Sequence, residues 1–502
     1  MHALLSEFEH VVARQPDRFA ACDQSLVLDY RALRAAAAAL AERIQQATRQ
    51  PHVGIMAPAS SAGAAAIFAC WYAGRIPVPL NFLLSPDELA QVIRDAGLDC
   101  VLTIERFAAQ LAPTGVRPLV LDARTLAPTQ TGSAAARERA AAGPPPADAR
   151  DVGAIIYTSG TSGAPKGVCL SFDNLVQNAR ACIAHARISP DQVFLSVVPQ
   201  FHSFGFTTMT VTPLVLGATV WYLPRFSPVA VVGTIAEKKV TVFLAVASMY
   251  AALARMKDAD PAALASLRLA ISGGEPLAPG VAQTFRERFG VEILDGYGLT
   301  EAAPVVSVNM PWAQRPGSVG RPLPGVTVVA ADQAGRVLPP GQEGELLVSG
   351  HGVMRGYHNQ PQATALAIRD GRLHTGDVGR VDADGFVYIT GRLKEMMIVG
   401  GENVFPIEIE NVLLAHPDVL EAAVIGVPDK VRGQVPAAFV ILHEGATADE
   451  VALRAFCRQH LAGYKVPREI RIERELPRGP TGKILKRALK SALAPSSSRP
   501  PR

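Results

Sequence analysis

Residues Ala154 to Val168 read AIIYTSGTSGAPKGV. An apolar stretch runs into hydroxyl residues and glycines (Thr158, Ser159, Gly160, Thr161, Ser162, Gly163) and then reaches Lys166. Such a loop offers backbone N–H groups and hydroxyls to phosphate oxygens, with the lysine as a point charge. It is not a Walker loop, because Gly167 follows Lys166 where Ser or Thr would be needed. Taken alone, the string suits an ordinary Gly/Ser-rich turn. Two more apolar stretches end in glycine turns. LAISGGEPL carries Gly274, Glu275 and Pro276; ILDGYGLTEAAP carries Asp295, Gly296, Tyr297, Gly298, Thr300 and Glu301. Turns at strand ends are where an α/β sheet opens a ligand crevice. Glu301 is the kind of hard oxygen ligand that Mg2+ takes alongside phosphate. Singly, Tyr297 reads as a turn tyrosine and Glu301 as a solvated acid. Asp377, in HTGDVGRV, has lone pairs for two donors, as a cis-diol presents, and equally suits an Asx turn. Gly400 and Gly401 fit a tight turn or the close passage of a thin chain. His202, in PQFHSFGFT, lies in an apolar run where histidines are ordinarily structural. Lys483 follows Pro-Thr-Gly near the C-terminus. A fixed ammonium can stabilise charge developing at phosphate, whereas a random lysine simply faces water.

These residues need a scaffold of alternating elements. The spacing predicts a helix over Arg31–Ala47, a strand at HVGIM, a buried helix over Ala62–Ala73 and strands at Ile76–Leu80, Asp99–Ile104 and Leu119–Leu121. Strands alternating with helices indicate a mainly parallel sheet covered on both faces. Leu126–Asp151, rich in Ala, Pro, Gly and Thr without apolar period, reads as a surface linker. A second α/β run follows to about residue 310. From Gly317 to Arg392 the character becomes short strands with glycine turns, and Asp382–Phe386 (DADGF) signals a hairpin. Beyond Lys394 the pattern gives helices at Pro406–Ala415 and Ala448–Leu461, with strands near Ala422–Gly426 and Ala437–Leu442. The tail APSSSRPPR is expected to be disordered. At 502 residues, 49% hydrophobic and 19% charged, the chain can bury a large core. A net charge of +4 gives no field that argues for nucleic acid. Its six cysteines form no CxxC pair and no zinc spacing, which suits buried free thiols in a reducing cytoplasm. The N-terminus lacks an apolar signal core, and the apolar stretch Ser61–Leu84 is broken by Gly74, Arg75, Pro77 and Pro79, so no transmembrane segment is expected.

YTSGTSGAPKG resembles the phosphate loop of the adenylate-forming superfamily, which includes acyl-CoA synthetases, aryl-CoA ligases, peptide-synthetase adenylation domains and beetle luciferases. The resemblance extends from VGIMAPAS to PTGKILKRALK, with five motifs in family order. It is nearest to fatty acyl-CoA and acyl-carrier-protein synthetases. It implies an α/β fold in which a large N-terminal domain (1–393) has two α/β lobes (1–125 and 151–310) and a small β-barrel-like part (311–393). A small, mobile α+β domain (394–490) and a disordered tail (491–502) would follow.

The resemblance also implies roles. Gly274, Glu275 and Pro276 would line one side of adenine, and Asp295 to Gly298 the other, with Tyr297 on the base. Thr300 would bond phosphate and Glu301 would ligate Mg2+. Asp377 would hold the ribose hydroxyls, with Arg392 nearby. Lys394 would be the hinge, Gly400–Gly401 the wall of a pantetheine tunnel, and Lys483 the bridge between carboxylate and α-phosphate. His202 would position the acyl carboxylate. The cofactors implied are ATP, Mg2+ and coenzyme A, or the phosphopantetheine of an acyl-carrier protein. In the implied chemistry, a carboxylic acid and ATP give acyl-AMP and pyrophosphate; the small domain rotates about Lys394, and a thiol expels AMP. The acyl pocket would be lined by Phe204, Met249, Ser272, Gly296, Ala302 and Ala303. No aspartate occurs between Val240 and Tyr250, which disfavours an amino acid and leaves medium or long aliphatic acids ahead of aryl acids. An inert AMP-sensing scaffold and a P-loop NTPase are the alternatives from other classes. Finally, Tyr464–Lys490 holds nine cations against three glutamates, a surplus of +6 that reads either as a solvated face or as a surface meeting an anionic acceptor.

Overall fold

Alternating apolar runs and amphipathic stretches fold as the pattern requires. The structure, a computed structural model, describes residues 3–122, 126, 151–158, 165–256, 258–478 and 484–493. The expected phosphate-loop residues Ser159 to Gly163, Lys483, most of the linker and the tail from residue 494 lie outside the described residues. Two compact units are present: residues 1–274, 285–328 and 348–374 form one, and 275–284, 329–347 and 375–502 the other.

In the first unit, His52–Met56, Ile76–Pro79, Cys100–Thr103 and Arg117–Val120 form a four-stranded, wholly parallel sheet. The helix Ser61–Tyr72 that links its first two strands is buried on nearly every side. Its small residues permit this: only Ile67, Phe68, Trp71 and Tyr72 are bulky, and the Trp71 indole N–H donates to the Gly153 carbonyl at 2.7 Å. Ser60 caps its start by accepting from the Gly63 N–H. A nine-stranded mixed sheet runs in the order Arg321–Pro322, Val305–Val308, Ile293–Gly298, Leu269–Gly273, Val242–Ala245, Val193–Ser196, Thr219–Tyr222, Phe19–Cys22, Val27–Asp29. Its central strands are parallel, and the register sets Ser272 beside both Ala245 and Asp295. A third small sheet pairs Val152–Thr158 with Lys166–Ser171, and the latter with Gly356–Tyr357. Ile155 of this sheet packs into the core of the four-stranded one.

In the second unit, strand Arg372–Val381, which enters it at Thr375, pairs antiparallel with Val387–Arg392. The expected turn joins them: the Asp382 carboxylate accepts from the Asp384 and Phe386 N–H groups. A five-stranded sheet follows, with Gly433–Leu442 at its centre and the long strand Val419–Asp429 paired antiparallel along its edge. These strands are longer than the apolar pattern indicates, because pairing carries them through Pro428 and Gln434 into the turn. Helices Pro406–Leu414 and Glu450–His460 cover one face through Ile409, Leu413, Leu453 and Cys457. The last helix runs Lys486–Leu493, so residues 491–493 are helical. Among the described residues, no helix is long and apolar enough to cross a membrane.

Candidate active site

In the first unit, strand Ile293–Gly298 ends in glycine for steric reasons. A Cβ on Gly298 would lie 2.4 Å from the Pro304 carbonyl oxygen. The chain then turns through Thr300–Ala302, and Ala303 holds a left-handed φ of 72°. That turn presents Thr300 and Glu301. Thr300 is buried, and its hydroxyl lies 2.9 Å from that of Ser203. Glu301 accepts at Oε1 from the Tyr357 hydroxyl at 2.9 Å. Over the Tyr357 ring, the Lys166 ammonium stands 5.0 Å from the centroid, within cation–π range. Lys166 opens its strand directly opposite Thr158, so these two expected residues stand side by side. Burial and the neighbouring Glu301 charge push the Tyr357 phenol well above its ordinary value, so it stays a neutral donor.

Ser203 and His202 sit where the chain enters a π-helix, Phe204–Val211. Such wide turns recur at functional sites. The turn needs Gly205, because a Cβ there would meet the Pro199 carbonyl oxygen at 2.1 Å. His202 accepts at Nδ1 from the Phe204 N–H at 3.3 Å. Its ring proton is therefore assigned to Nε2, which suits a donor that orients a carboxylate. Of the expected acyl-pocket residues, Ser272, Ala302 and Ala303 are buried, and Phe204 and Met249 half-buried. The Phe204 ring borders the end of strand Leu269–Gly273, 3.6 Å from where a Gly273 Cβ would stand. Asp295 accepts at Oδ1 from the Gly296 N–H at 3.0 Å, and burial pushes its carboxyl up to about 7. Tyr297 is buried beside it. Gly274 adopts φ 82° at the tip of its turn.

The second unit holds the remaining expected residues, Glu275 and Pro276 among them. Asp377 is buried, and its Oδ1 lies 2.7 Å from Nε of Arg392, its register partner across the hairpin. The sequence offered these two separately, and the sheet joins them. Lys394 is exposed in the turn Leu393–Glu395. Gly400 (φ 61°) and Gly401 (φ 94°) form the two-residue loop of a hairpin between Met397–Val399 and Glu402–Val404. Both positions need positive φ, which explains the glycine pair.

Three functional candidates escaped the sequence reading: Ser203, Tyr357 and Lys486. Lys486 lies 2.8 Å from both Glu395 and Glu410 in a largely buried triad. Burial works to lower its ammonium, but the two carboxylates outweigh this and raise it. Several cations of the basic segment Tyr464–Lys490 are paired in the folded unit. Lys465 pairs with Glu408, Arg468 with Asp429, Arg478 with Glu421, and Arg471 with Glu469 inside the segment. The cysteines are free; Cys169 and Cys182 are half-buried and the other four buried.

Residues 8–358 match the AMP-binding enzyme family, and residues 408–483 the AMP-binding enzyme C-terminal domain. The chain belongs to the AMP-binding enzyme family. A feruloyl-CoA synthase from Amycolatopsis sp is 37% identical over 468 residues, covering 91% of this chain and 92% of its own length. A long-chain-fatty-acid–CoA ligase from Bacillus subtilis (strain 168) is 39% identical over 344 residues, 68% of this chain and 61% of its own. ATP-bound MatB from Rhodopseudomonas palustris has the same fold, with TM-score 0.87 and 31% identity over 98% of this chain and 99% of that one. The expected family and fold class hold: the chain is one of the adenylate-forming CoA ligases. Its residues fit the implied Mg2+. Among the described residues, no group of three or more His, Cys, Asp or Glu side chains could hold an ion unaided. A single carboxylate such as Glu301 suits Mg2+ that is bound mainly through phosphate oxygens.

Proposed function

We propose that the enzyme activates a medium- or long-chain aliphatic carboxylic acid and transfers it to CoA in the cytoplasm. The convergence of Lys166, Thr300, Ser203, Glu301 and Tyr357 in one unit carries this reading of the nucleotide site. A carboxylate oxygen of the acid attacks the α-phosphorus of ATP, and pyrophosphate leaves. Lys166 and the Thr300 hydroxyl meet phosphate oxygens. Mg2+ on Glu301 supplies charge neutralisation at the phosphates. Lys483 meets the carboxylate as it approaches phosphate, and His202 orients it by donating from Nε2. Asp377 accepts from the ribose hydroxyls beside Arg392, and Asp295 to Gly298, with Gly274 to Pro276, enclose the adenine. The CoA thiolate then attacks the acyl carbonyl carbon, forming the thioester and expelling AMP, with Gly400 and Gly401 beside the pantetheine chain. The domain boundary belongs near Lys394.

The aliphatic assignment rests on an uncharged lining of Phe204, Met249, Ala302 and Ala303. An aryl acid is the second reading, favoured by one buried hydroxyl: Ser272 Oγ has no hydrogen-bond partner among the described residues and would meet a polar ring substituent. Pyrophosphate release and hydroxamate trapping should be measured with octanoate, palmitate, ferulate and a dicarboxylate. Preference for octanoate or palmitate is expected. Preference for ferulate would replace the aliphatic assignment with the aryl one. Repeating the best acid with CoA and with a holo-carrier protein decides the acceptor.

A further inference from the structure

Tyr357 occupies a place that the reaction as derived above does not use. Its backbone is fixed to the strand that carries Lys166. Tyr357 lies opposite Val168 in register, the His358 N–H donates to the Gly167 carbonyl at 2.7 Å, and the Arg355 N–H donates to the Cys169 carbonyl at 3.0 Å. Its own N–H donates to the Thr364 hydroxyl at 2.8 Å. The neighbouring Met354 N–H donates to the Glu301 carbonyl at 2.9 Å, which ties the same segment to the Thr300–Ala302 turn. Gly356 makes this possible. It adopts φ 147°, and a Cβ there would collide with Thr364 at 2.6 Å. The ring thus stands on a rigid support between two charged groups of opposite sign. Its hydroxyl binds one oxygen of Glu301, and its face receives the Lys166 ammonium.

We propose that Tyr357 is a positioning residue: its hydroxyl fixes the rotamer of Glu301 so that Oε2 faces Mg2+, and its ring holds Lys166 ready for phosphate. The inference rests on reading Glu301 as the Mg2+ contact. Without the phenol, a carboxylate at a turn samples several rotamers and meets the ion in only some of them. Oriented metal ligands ordinarily have such a partner, and removing it weakens metal affinity about 10- to 100-fold.

The test uses the full-length enzyme and α,β-methylene-ATP, whose α–β bridge is not cleaved, so it cannot donate AMP to the acid. Calorimetry gives analogue affinity across a Mg2+ series, and AMP affinity without Mg2+ reports an intact nucleotide site. In Y357F, the Mg2+ concentration for half-maximal gain in analogue affinity should rise about tenfold, with AMP affinity unchanged. E301Q should raise it further, and Y357F/E301Q should match E301Q alone, because the phenol acts through the carboxylate. A normal Mg2+ requirement in Y357F beside a shifted E301Q would overturn the inference, and so would additive losses in the double variant. A normal requirement in E301Q would instead overturn the reading of Glu301. If Y357F loses AMP affinity, E301D supplies the second route, since it draws the carboxylate back from the phenol by one methylene. It should raise the Mg2+ requirement with AMP affinity kept, and an unchanged requirement there counts against the inference.

Discussion

Asp295 should make the fold lose stability as pH rises through neutrality, and D295N should remove that loss. The carboxyl lies within strand Ile293–Gly298, accepts one hydrogen bond from the Gly296 N–H, and has its ordinary value of 3.8 pushed up to about 7 by burial. A folded value above the unfolded one means that the folded state holds the proton more tightly. The contribution is therefore fully present below pH 3.8 and is lost as pH climbs through about 7. The displacement is roughly three pH units, and at about 1.4 kcal/mol per unit this sets a ceiling near 4 kcal/mol. D295N keeps an oxygen acceptor for the Gly296 N–H but does not titrate. The other groups titrate alike in both proteins, so the difference between their unfolding free energies isolates this one carboxyl. Urea unfolding at half-unit steps from pH 4 to 8.5 would measure it. The difference should be smallest at pH 4 and should move in favour of D295N by up to about 4 kcal/mol at pH 8. Parallel curves across that range would show that the carboxyl is solvated, and the argument from burial would fall.

Lys486→Met should cost about 3 kcal/mol at pH 7.5, because it strands two carboxylates in a buried site. The cost should shrink as pH falls, because Glu410, already raised by burial against the pull of Lys486, then takes up a proton; destabilisation that does not change with falling pH, read by urea unfolding, would refute the ionic account. Lys483→Ala should abolish acyl-AMP formation, a loss of at least about 100-fold, while thioester formation from supplied acyl-AMP continues; equal loss in both half-reactions would remove the lysine from the adenylation step. Native enzyme should react with a disulfide reagent at pH 7 far more slowly than free cysteine, since burial pushes Cys22 and Cys182 up to about 12 and Cys100, Cys169 and Cys457 up to about 11. Rapid labelling of the folded protein would contradict that burial.

What could be read from the sequence was what is encoded locally. The strand that ends at Thr158, the lysine opposite it and the Thr300–Glu301 turn are each set by a few adjacent residues, and the structure brings them to one unit. The DADGF hairpin and the Gly400–Gly401 loop were legible for the same reason, since turn chemistry is written in the turn. The candidates that were missed depend on partners far away in the chain. Tyr357 reaches Glu301 across 56 positions, Ser203 reaches Thr300 across 97, and Lys486 reaches Glu395 across 91. A tyrosine after Arg-Gly, or a lysine in a basic run, gives no local sign of such a partner. The π-helix at Phe204 was equally hidden: its one local requirement is the close approach of Gly205 to Pro199, and a lone glycine in an apolar run does not announce it.

Charge along the chain misleads for a related reason. The nine cations and three glutamates of Tyr464–Lys490 sum to +6, a surplus that would steer an anionic acceptor. The folded second unit sets five acids from earlier in the chain against that segment: Glu395, Glu408, Glu410, Glu421 and Asp429. Opposite charges therefore interleave there over distances well inside a Debye length of about 8–10 Å. Their far field largely cancels. The pairs at the surface contribute little stability each, but they remove the long-range potential that fast electrostatic capture requires. Arg468 illustrates the change of role: its side chain is 70% exposed, yet its guanidinium is engaged by Asp429. On the proposed reading of Gly400–Gly401 as the pantetheine wall, capture of the acceptor would then rely on close contacts more than on attraction at a distance.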